Sequence, residues 1–284
     1  MFLYNYKVFF DGTYTKQKNT KLLQECKNLE VDTSHLLYFQ NNQNRRVAIT
    51  SDKPFTDNQT EQTLNFHVED VVTFSSQKNH DTIYYKVYKE GNDELVKYWF
   101  SHTFLPILFT FEDIYYFLHA GAVEIDFKPV LFVADSFGGK STMTDFFIKK
   151  GHTMISDDKV GVYEDDRGII SVPSYAYHRP YRKVEDLGYP VENFAKECRV
   201  MHAIFNLVKV EASESIKIEE VFGIEKFQIL KFSTEIDLPI NLKSRFGMLS
   251  KIANNVKLYN ISIPWDLNRL EEVYLEIVNF IKKD

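Results

Sequence analysis

The stretch from residue 130 to residue 150 constrains the fold of this chain more than any other. The apolar run Val130-Leu131-Phe132-Val133 reads as a buried strand, and the segment from Met143 to Lys150 reads as a helix. Between them lies the loop Ala134-Asp-Ser-Phe-Gly-Gly-Lys-Ser-Thr142. A strand that enters a helix through a glycine-containing loop predicts an α/β fold.

The loop has the composition of a nucleotide phosphate-binding loop. Backbone N–H groups around Gly138 and Gly139 can point into one concavity, and the following helix adds the positive end of its dipole. We expect Lys140 to reach the β- and γ-phosphates and the Ser141 hydroxyl to join the shell of a Mg²⁺ ion. The alternative is a surface turn that carries a lysine by accident.

The loop departs from the pattern G-x-x-x-x-G-K-[ST] only at its first position, where Ala134 replaces glycine. Alanine fits there if its φ stays negative. We therefore predict ATP and Mg²⁺ as cofactors. The predicted nucleotide-binding residues are Ala134, Asp135, Ser136, Phe137, Gly138, Gly139, Lys140, Ser141 and Thr142.

Two adjacent carboxylates follow the predicted helix. Gly151 suits the C-terminus of that helix, and the residues from Thr153 to Ser156 suit a short strand that ends at Asp157 and Asp158. Acids at this position suit metal binding and proton abstraction from an acceptor hydroxyl. Because adjacent strand residues point to opposite faces, the two need not share a role. The alternative is a plain Asp-Asp-Lys turn.

Together these segments resemble the catalytic core of the HPr kinase/phosphorylase family. The resemblance runs from His119-Ala-Gly-Ala-Val-Glu-Ile through the glycine-containing loop and Lys149-Lys-Gly-His to Ser156-Asp-Asp, and it covers a minority of the chain. It implies a phosphate-loop core with a mixed sheet, like the HPr kinase C-terminal domain and phosphoenolpyruvate carboxykinase. It also implies ATP-dependent, Mg²⁺-assisted phosphorylation of a Ser or Thr hydroxyl.

The resemblance implies roles for four residues. Asp158 would accept the proton of the acceptor hydroxyl, and His119 would lie near Asp158 and the phosphates. Lys140 would bind the phosphates. Asp157 would be either an orienting partner or a metal contact through water.

Three departures from the family pattern bear on the reaction. Phe137 stands where HPr kinases usually have glycine. The segment that supplies a further metal-binding glutamate is not recognisable, and Glu185 is a loose candidate for that role. The arginine-rich loop tied to phosphorylase chemistry is missing in its usual form, with Lys243 and Arg245 as weak substitutes. HPr itself is therefore a poor candidate substrate, and we expect a stand-alone kinase that modifies a peptide or small protein.

Composition and charge limit the binding partners and the cellular compartment that we expect. A net charge of −6 argues against general nucleic-acid or acidic-membrane binding. The two cysteines lack metal-ligand spacing and suggest a reducing compartment. No secretory signal or membrane span is evident, so we expect a cytoplasmic protein. HPr kinases form hexamers, which leaves a homo-oligomer open.

Residues 1–95 read as a small β-rich region and residues 96–284 as the kinase domain. Strand-like runs span Phe2 to Phe10, His35 to Phe39, Arg45 to Thr50 and Asp81 to Tyr88. The region either recruits the substrate or caps the core of the kinase domain.

Further elements follow from periodicity and turn signals. These are a helical connector over residues 94–111 interrupted or kinked at Pro106, a strand over 115–126, a hairpin of 160–163 with 169–172, strands at 203–210 and 257–263, and helices at 241–254 and 266–282 with Asp266 as N-cap. The loop over residues 173–190 either makes a structural contact or supplies Arg179 or Arg182 to a phosphate or an acidic substrate.

Three functions remain open. The first is a kinase acting on a peptide or protein, and the second is a small-molecule kinase with an acceptor such as free serine. The third is a non-catalytic regulator that binds nucleotide. The set of Lys140, Ser141 and Asp158 favours an enzyme, because a regulator needs no general base.

Overall fold

Two large mixed sheets organise the chain. The structure, a computed structural model, describes residues 1–10, 17–41, 45–56, 61–180 and 183–283. Contacts define two compact units. Unit 1 comprises Met1–Tyr115, Val184–Asp186 and Ile236–Arg245, and unit 2 comprises Tyr116–Lys183, Leu187–Glu235 and the residues from Phe246 onwards. The functional division predicted at residue 95 stays a prediction.

Unit 1 is built on an eight-stranded sheet in the order β1-β2-β3-β8-β7-β6-β5-β4. The pairs β2/β3 and β3/β8 are parallel, and the other neighbours are antiparallel. The strands are β1 (Phe2–Leu3), β2 (Tyr6–Phe10), β3 (Thr20–Glu25), β4 (His35–Asn41), β5 (Arg46–Ser51), β6 (Thr63–Val68), β7 (Val72–Gln77) and β8 (Thr82–Val87).

A helical run follows the sheet of unit 1. It consists of α1 (Asp93–Tyr98), a π-helical segment (Trp99–Phe104) and α2 (Leu105–Phe111). The Asn92 side chain caps α1 by accepting from the Leu95 N–H at 3.0 Å. Aromatic contacts hold the run on the sheet, since the Phe104 ring stacks on that of Phe74 with centroids 5.0 Å apart.

Unit 2 is built on a six-stranded mixed sheet in the order β12-β10-β11-β18-β20-β19. Strands β11, β18 and β20 are parallel neighbours, so their carboxyl ends meet at one edge of the sheet. Unit 2 also contains a four-stranded sheet in the order β17-β14-β13-β9 and a two-stranded sheet of β15 and β16. The strands are β9 (Tyr116–His119), β10 (Gly121–Ile125), β11 (Lys128–Val133), β12 (Met154–Ser156), β13 (Lys159–Asp165), β14 (Gly168–Val172), β15 (Tyr177–His178), β16 (Tyr189–Pro190), β17 (Arg199–Val200), β18 (Ala203–Val210), β19 (Ile218–Glu220) and β20 (Lys257–Pro264).

Four α-helices complete unit 2 within the described residues, and a 3₁₀ turn at Leu267–Arg269 precedes the last of them. Strand β11 lies between two cores: Val130 and Phe132 belong to one, and Leu131 and Val133 to the other. This is the alternation that a strand buried on both faces requires. The helices are α3 (Lys140–Lys149), α4 (Gly223–Phe232), α5 (Leu242–Asn255), which begins in unit 1, and α6 (Leu270–Lys283).

The prediction of a mixed α/β fold is confirmed. The phosphate-loop core and the relation to phosphoenolpyruvate carboxykinase stay predictions. The prediction of one strand over 115–126 is wrong, because β9 and β10 belong to different sheets and the chain changes sheet at Ala120. The hairpin, the strands at 203–210 and 257–263 and the final helix are confirmed. Asp266 caps the 3₁₀ turn that leads into α6.

Candidate functional site

The glycine-containing loop, residues 134–139, joins β11 to α3 and bends sharply at its end. Gly139 has φ +88° and is the N-cap of α3, where it accepts from the Met143 N–H at 2.9 Å. A Cβ atom at Gly138 would lie 2.8 Å from the Ala134 Cβ, so only glycine fits there. Ala134 does not have a positive φ, which meets the condition for alanine at that position.

Lys140 begins α3 and is only 6% exposed. Its Nζ donates to the His119 carbonyl oxygen at 3.4 Å. Ser141 is half-buried in the first turn of the same helix. The loop, Lys140 and the end of β9 therefore lie side by side.

Asp157 and Asp158 form a tight turn between β12 and β13. The Lys159 N–H donates to the Asp157 carbonyl at 2.7 Å, and the Ser156 hydroxyl donates to the Lys159 carbonyl at 2.7 Å. Asp158 takes a left-handed conformation with φ +66°, which aspartate tolerates better than most residues.

The turn sends the two carboxylates to different partners. Asp157 is buried, accepts from the Arg179 N–H at 2.8 Å and has Oδ2 3.1 Å from His178 Nδ1. Asp158 is partly exposed, with Oδ1 3.2 Å from His119 Nδ1. The different surroundings arise from the turn and not from strand alternation, because β12 ends at Ser156. The separate roles of the two acids stay predictions.

His119 belongs to a cluster of ionisable groups. Its Nδ1 lies 2.9 Å from Glu235 Oε2 as well as near Asp158, and Lys159 Nζ lies 2.7 Å from Glu235 Oε1. Burial alone would raise the pKa of Glu235. The charge of Lys159 and the hydrogen bond from His119 outweigh burial and lower that pKa to about 2. Glu235 is therefore ionised at neutral pH.

An open cleft of about 750 Å³ lies beside this cluster in unit 2. His119, residues 134–138 of the loop, Lys209 at the end of β18 and Phe232 at the end of α4 all contribute to its wall. Phe137 projects into solvent, 79% exposed, from a left-handed backbone with φ +63°. That φ explains why glycine would suit the position.

The structure brings together part of the predicted site. His119 and the loop line the cleft, Lys140 and Asp158 each contact His119, and Asp157 belongs to the same turn as Asp158. Glu185, which belongs to unit 1, uses its carboxylate oxygens on Arg45 and the Trp99 indole N–H. Its metal role stays a prediction.

The arginines that the sequence analysis named as candidates lie in different environments. The Arg179 backbone N–H supports Asp157, and Arg182 lies outside the described residues. Arg245 is buried in unit 1, where its guanidinium donates to the carbonyls of Ile236 and Leu238.

A Mg²⁺ ion fits the chemistry of the donors near the loop. Magnesium is usually held by one or two protein oxygens, several waters and the phosphates of a substrate. Ser141 in the first turn of α3 offers a hydroxyl oxygen, whereas the buried Asp157 carboxylate already accepts from the Arg179 N–H. Among the described residues, no three His, Cys, Asp or Glu side chains group closely enough to hold a metal without such help.

Sequence reasoning missed Glu235 and Lys159. Glu235 follows α4 without any motif, and it reaches the site because its N–H donates to the Phe117 carbonyl at 2.9 Å while Thr234 pairs with Leu118. The sequence predicts Lys159 only as the last residue of an Asp-Asp-Lys turn. Its position directly after Asp158 is the one local signal that could have marked it.

Comparison with known proteins adds little to this geometry. No family model matches the chain, and no curated protein sequence matches it. Among solved structures, the Hpr(Ser) kinase/phosphatase from Coxiella burnetii is similar with a TM-score of 0.37 and 13% sequence identity, over 59% of this chain and 97% of that one. Membership of the HPr kinase family stays a prediction. No helix in the described part of the chain has the length and apolar character needed to cross a membrane. The cytoplasmic location stays a prediction.

Proposed function

We propose that this protein is an ATP-dependent kinase that transfers the γ-phosphate to a Ser or Thr hydroxyl of a peptide or small protein. The observation that carries the proposal is the arrangement around His119. Its ring Nδ1 lies 3.2 Å from Asp158 Oδ1, and its carbonyl oxygen lies 3.4 Å from Lys140 Nζ. A carboxylate suited to deprotonate an alcohol and a lysine suited to bind phosphates thus flank one residue.

The reaction assigns a task to each group. The Asp158 carboxylate accepts the proton of the acceptor hydroxyl while the hydroxyl oxygen bonds to the γ-phosphorus. The bond from that phosphorus to the β,γ-bridging oxygen breaks, and ADP leaves with the electron pair. Lys140 and the loop N–H groups neutralise the phosphate oxygens, and ionised Glu235 holds the His119 ring beside Asp158. Ser141 would hold a Mg²⁺ ion, which would supply further neutralisation of the phosphate charge.

The test measures phosphate transfer from γ-labelled ATP to a panel of Ser- and Thr-containing peptides and to free hydroxyl compounds such as serine. We expect Asp158→Asn to slow transfer by at least about 10²-fold while ATP affinity stays largely unchanged, because a general base acts on the acceptor. Asp166→Asn is the matched control, since Asp166 is exposed in the β13–β14 turn. It should leave both properties intact.

Each other result points to a different conclusion. Near-normal turnover by Asp158→Asn would remove the proposed role of Asp158. Label on free serine but on no peptide would identify a small-molecule kinase. Tight ATP binding with no transfer to any acceptor would identify a nucleotide-binding regulator.

A further inference from the structure

A second cavity lies against the glycine-containing loop in unit 2. Its volume is about 230 Å³, and its walls are mainly apolar, with Met143, Ile263, Leu270 and Val273 among them. Pockets that take a whole small ligand usually measure roughly 300–1,000 Å³. The cavity therefore suits one part of a larger ligand.

The cavity adjoins the cleft that holds the phosphate-binding candidates. Gly138 and Leu207 line both spaces, whereas His119 and Ser136 line only the cleft. Thr142, which follows Ser141 on α3, lines only the cavity. A ligand whose phosphates follow the loop can therefore place its other end in the cavity.

Trp265 gives the cavity an aromatic wall. It follows β20 directly and is 46% exposed. A Cβ atom at Gly139 would lie 3.6 Å from its ring, so the indole approaches the loop backbone closely. Lys209 Nζ lies 4.0 Å from the centroid of the same ring and also lines the cleft, which puts positive charge where the two spaces meet.

Asp266 is the charged residue among those that line the cavity. Asp266 lines the cavity, and its Oδ1 accepts from the Asn268 backbone N–H at 2.9 Å, which fixes its orientation. A carboxylate only accepts hydrogen bonds when ionised, so it favours a partner that presents N–H groups. The position also fits a general rule, because ligands of open α/β sheets bind outside the carboxyl ends of the strands. Strands β11, β18 and β20 end at this edge.

We propose that this cavity binds the purine base of a nucleoside triphosphate whose phosphates lie along the glycine-containing loop. The inference rests on the proposed function, since it assumes that the loop holds phosphates. It adds that Trp265 stacks on the base and that Asp266 accepts hydrogen bonds from the amino group of the base. Trp265 is then a binding residue that distinguishes a nucleotide from a bare phosphate chain.

The test compares four probes by calorimetric titration in the presence of Mg²⁺: ATP, GTP, UTP and inorganic tripolyphosphate. At least one purine nucleotide should bind wild-type protein about tenfold or more tightly than tripolyphosphate, the gain typical of one stacked base. Trp265→Ala should weaken that nucleotide to the level of tripolyphosphate and leave tripolyphosphate unchanged. Trp265→Phe keeps a ring and should retain most of the gain. Lys140→Ala should weaken all four probes.

A second measurement avoids dependence on how well Trp265→Ala folds. Purine nucleotide, but not tripolyphosphate, should quench tryptophan fluorescence in wild-type protein, and the quench should be absent in Trp265→Phe. Circular dichroism and thermal melting check that the variants are folded.

The outcomes separate the two proposals. Unchanged purine affinity in folded Trp265→Ala, or purine nucleotides no tighter than tripolyphosphate, would overturn the base site while leaving the phosphate loop standing. UTP binding as tight as that of both purines would overturn the purine preference. No binding of any probe to wild type would overturn the phosphate loop and the base site together.

Discussion

Asp158 shows how one backbone conformation can set the chemistry of a site. Its φ of +66° turns the chain between β12 and β13, so that Asp157 faces His178 while Asp158 faces His119. A β-branched residue would resist that conformation. The sequence of two acids followed by lysine therefore serves as a turn and as a candidate site at once, and the two readings of the sequence are compatible.

Glu235 is the residue whose ionisation we expect to matter most for stability. Its pKa is lowered from 4.5 to about 2, so the folded protein prefers the ionised form. A lowered carboxyl pKa contributes stability that is complete above pH 4.5 and is lost as the pH falls toward 2. A shift of this size corresponds to about 3 kcal/mol at neutral pH. Glu235→Gln should therefore be destabilised at pH 7 and less so near pH 3.

Urea unfolding across this pH range measures the effect. Glu276→Gln is the control, because Glu276 is exposed on α6. It should follow the pH dependence of wild type. If the free energy of unfolding of Glu235→Gln changed with pH as that of wild type does between pH 7 and pH 3, the lowered pKa of Glu235 would be contradicted.

The candidate site divides into residues that a local pattern can reveal and residues that it cannot. Lys140 and Ser141 follow from the loop, and Asp158 from its place after a short strand. Glu235 reaches His119 only because the chain after α4 pairs with β9, which is a contact between distant segments. No periodicity or motif encodes such a contact.

At the scale of elements, the sequence predicts only part of the structure of the helical run before β9. The sequence predicts an interruption or a kink at Pro106, which has no N–H to donate. The structure instead accommodates the proline with a π-helical segment just before it, in which the Leu105 N–H donates to the Phe100 carbonyl five residues back. Helical hydrogen bonding therefore continues up to the proline without a break in the run.

Elements missed from the sequence share a physical cause. Helix α4 has Leu230 as its one fully buried residue, so its pattern lacks a clear apolar face. Strand β7 has the opposite character, because Val72 to Ser76 are all buried and no alternation is visible. Both segments lack the periodic pattern that marks α6, whereas β11, which is also buried on both faces, is predicted from its continuous apolar run.

The buried ion pair between β3 and the end of α2 gives a prediction at this scale. Lys21 Nζ lies 2.8 Å from Glu112 Oε1, and both side chains are almost fully buried. Burial raises the pKa of Glu112, while Lys21 opposes that rise. Lys21→Met leaves a buried carboxylate without its cation and should destabilise the protein by about 3–5 kcal/mol.

The double variant Lys21→Met with Glu112→Leu should be less destabilised than Lys21→Met alone, because it buries no lone charge. Arg46→Met is the control, since the Arg46–Glu69 pair is exposed and should contribute less than about 1 kcal/mol. Denaturant unfolding measures all three. If Lys21→Met were as stable as the double variant, burying Glu112 without its cation would carry no cost in stability.

At the scale of the whole molecule, the path of the chain limits how the two units can be separated. Unit 1 contains Ile236–Arg245, although most of it lies before residue 116. Inside unit 1 the Asn241 side chain donates to the carbonyls of Thr110 and Phe111, at 2.7 and 3.0 Å. Cutting the chain before residue 116 therefore separates residues 236–245 from the part of unit 1 that they contact.

We expect a chain of residues 116–284 to fold poorly because Ile236, Leu238 and Ile240, which are buried in the full protein, lose their surroundings. It should give less soluble protein and a lower melting temperature than residues 1–284. The matched control replaces residues 236–245 of the shortened chain with a Gly/Ser linker of the same length. This replacement should restore solubility, because the linker exposes no apolar side chains. If residues 116–284 with the native segment had the same melting temperature as the full protein, unit 2 would not depend on where Ile236–Arg245 packs. The recovered linker variant would also allow the proposed nucleotide binding to be measured in unit 2 alone.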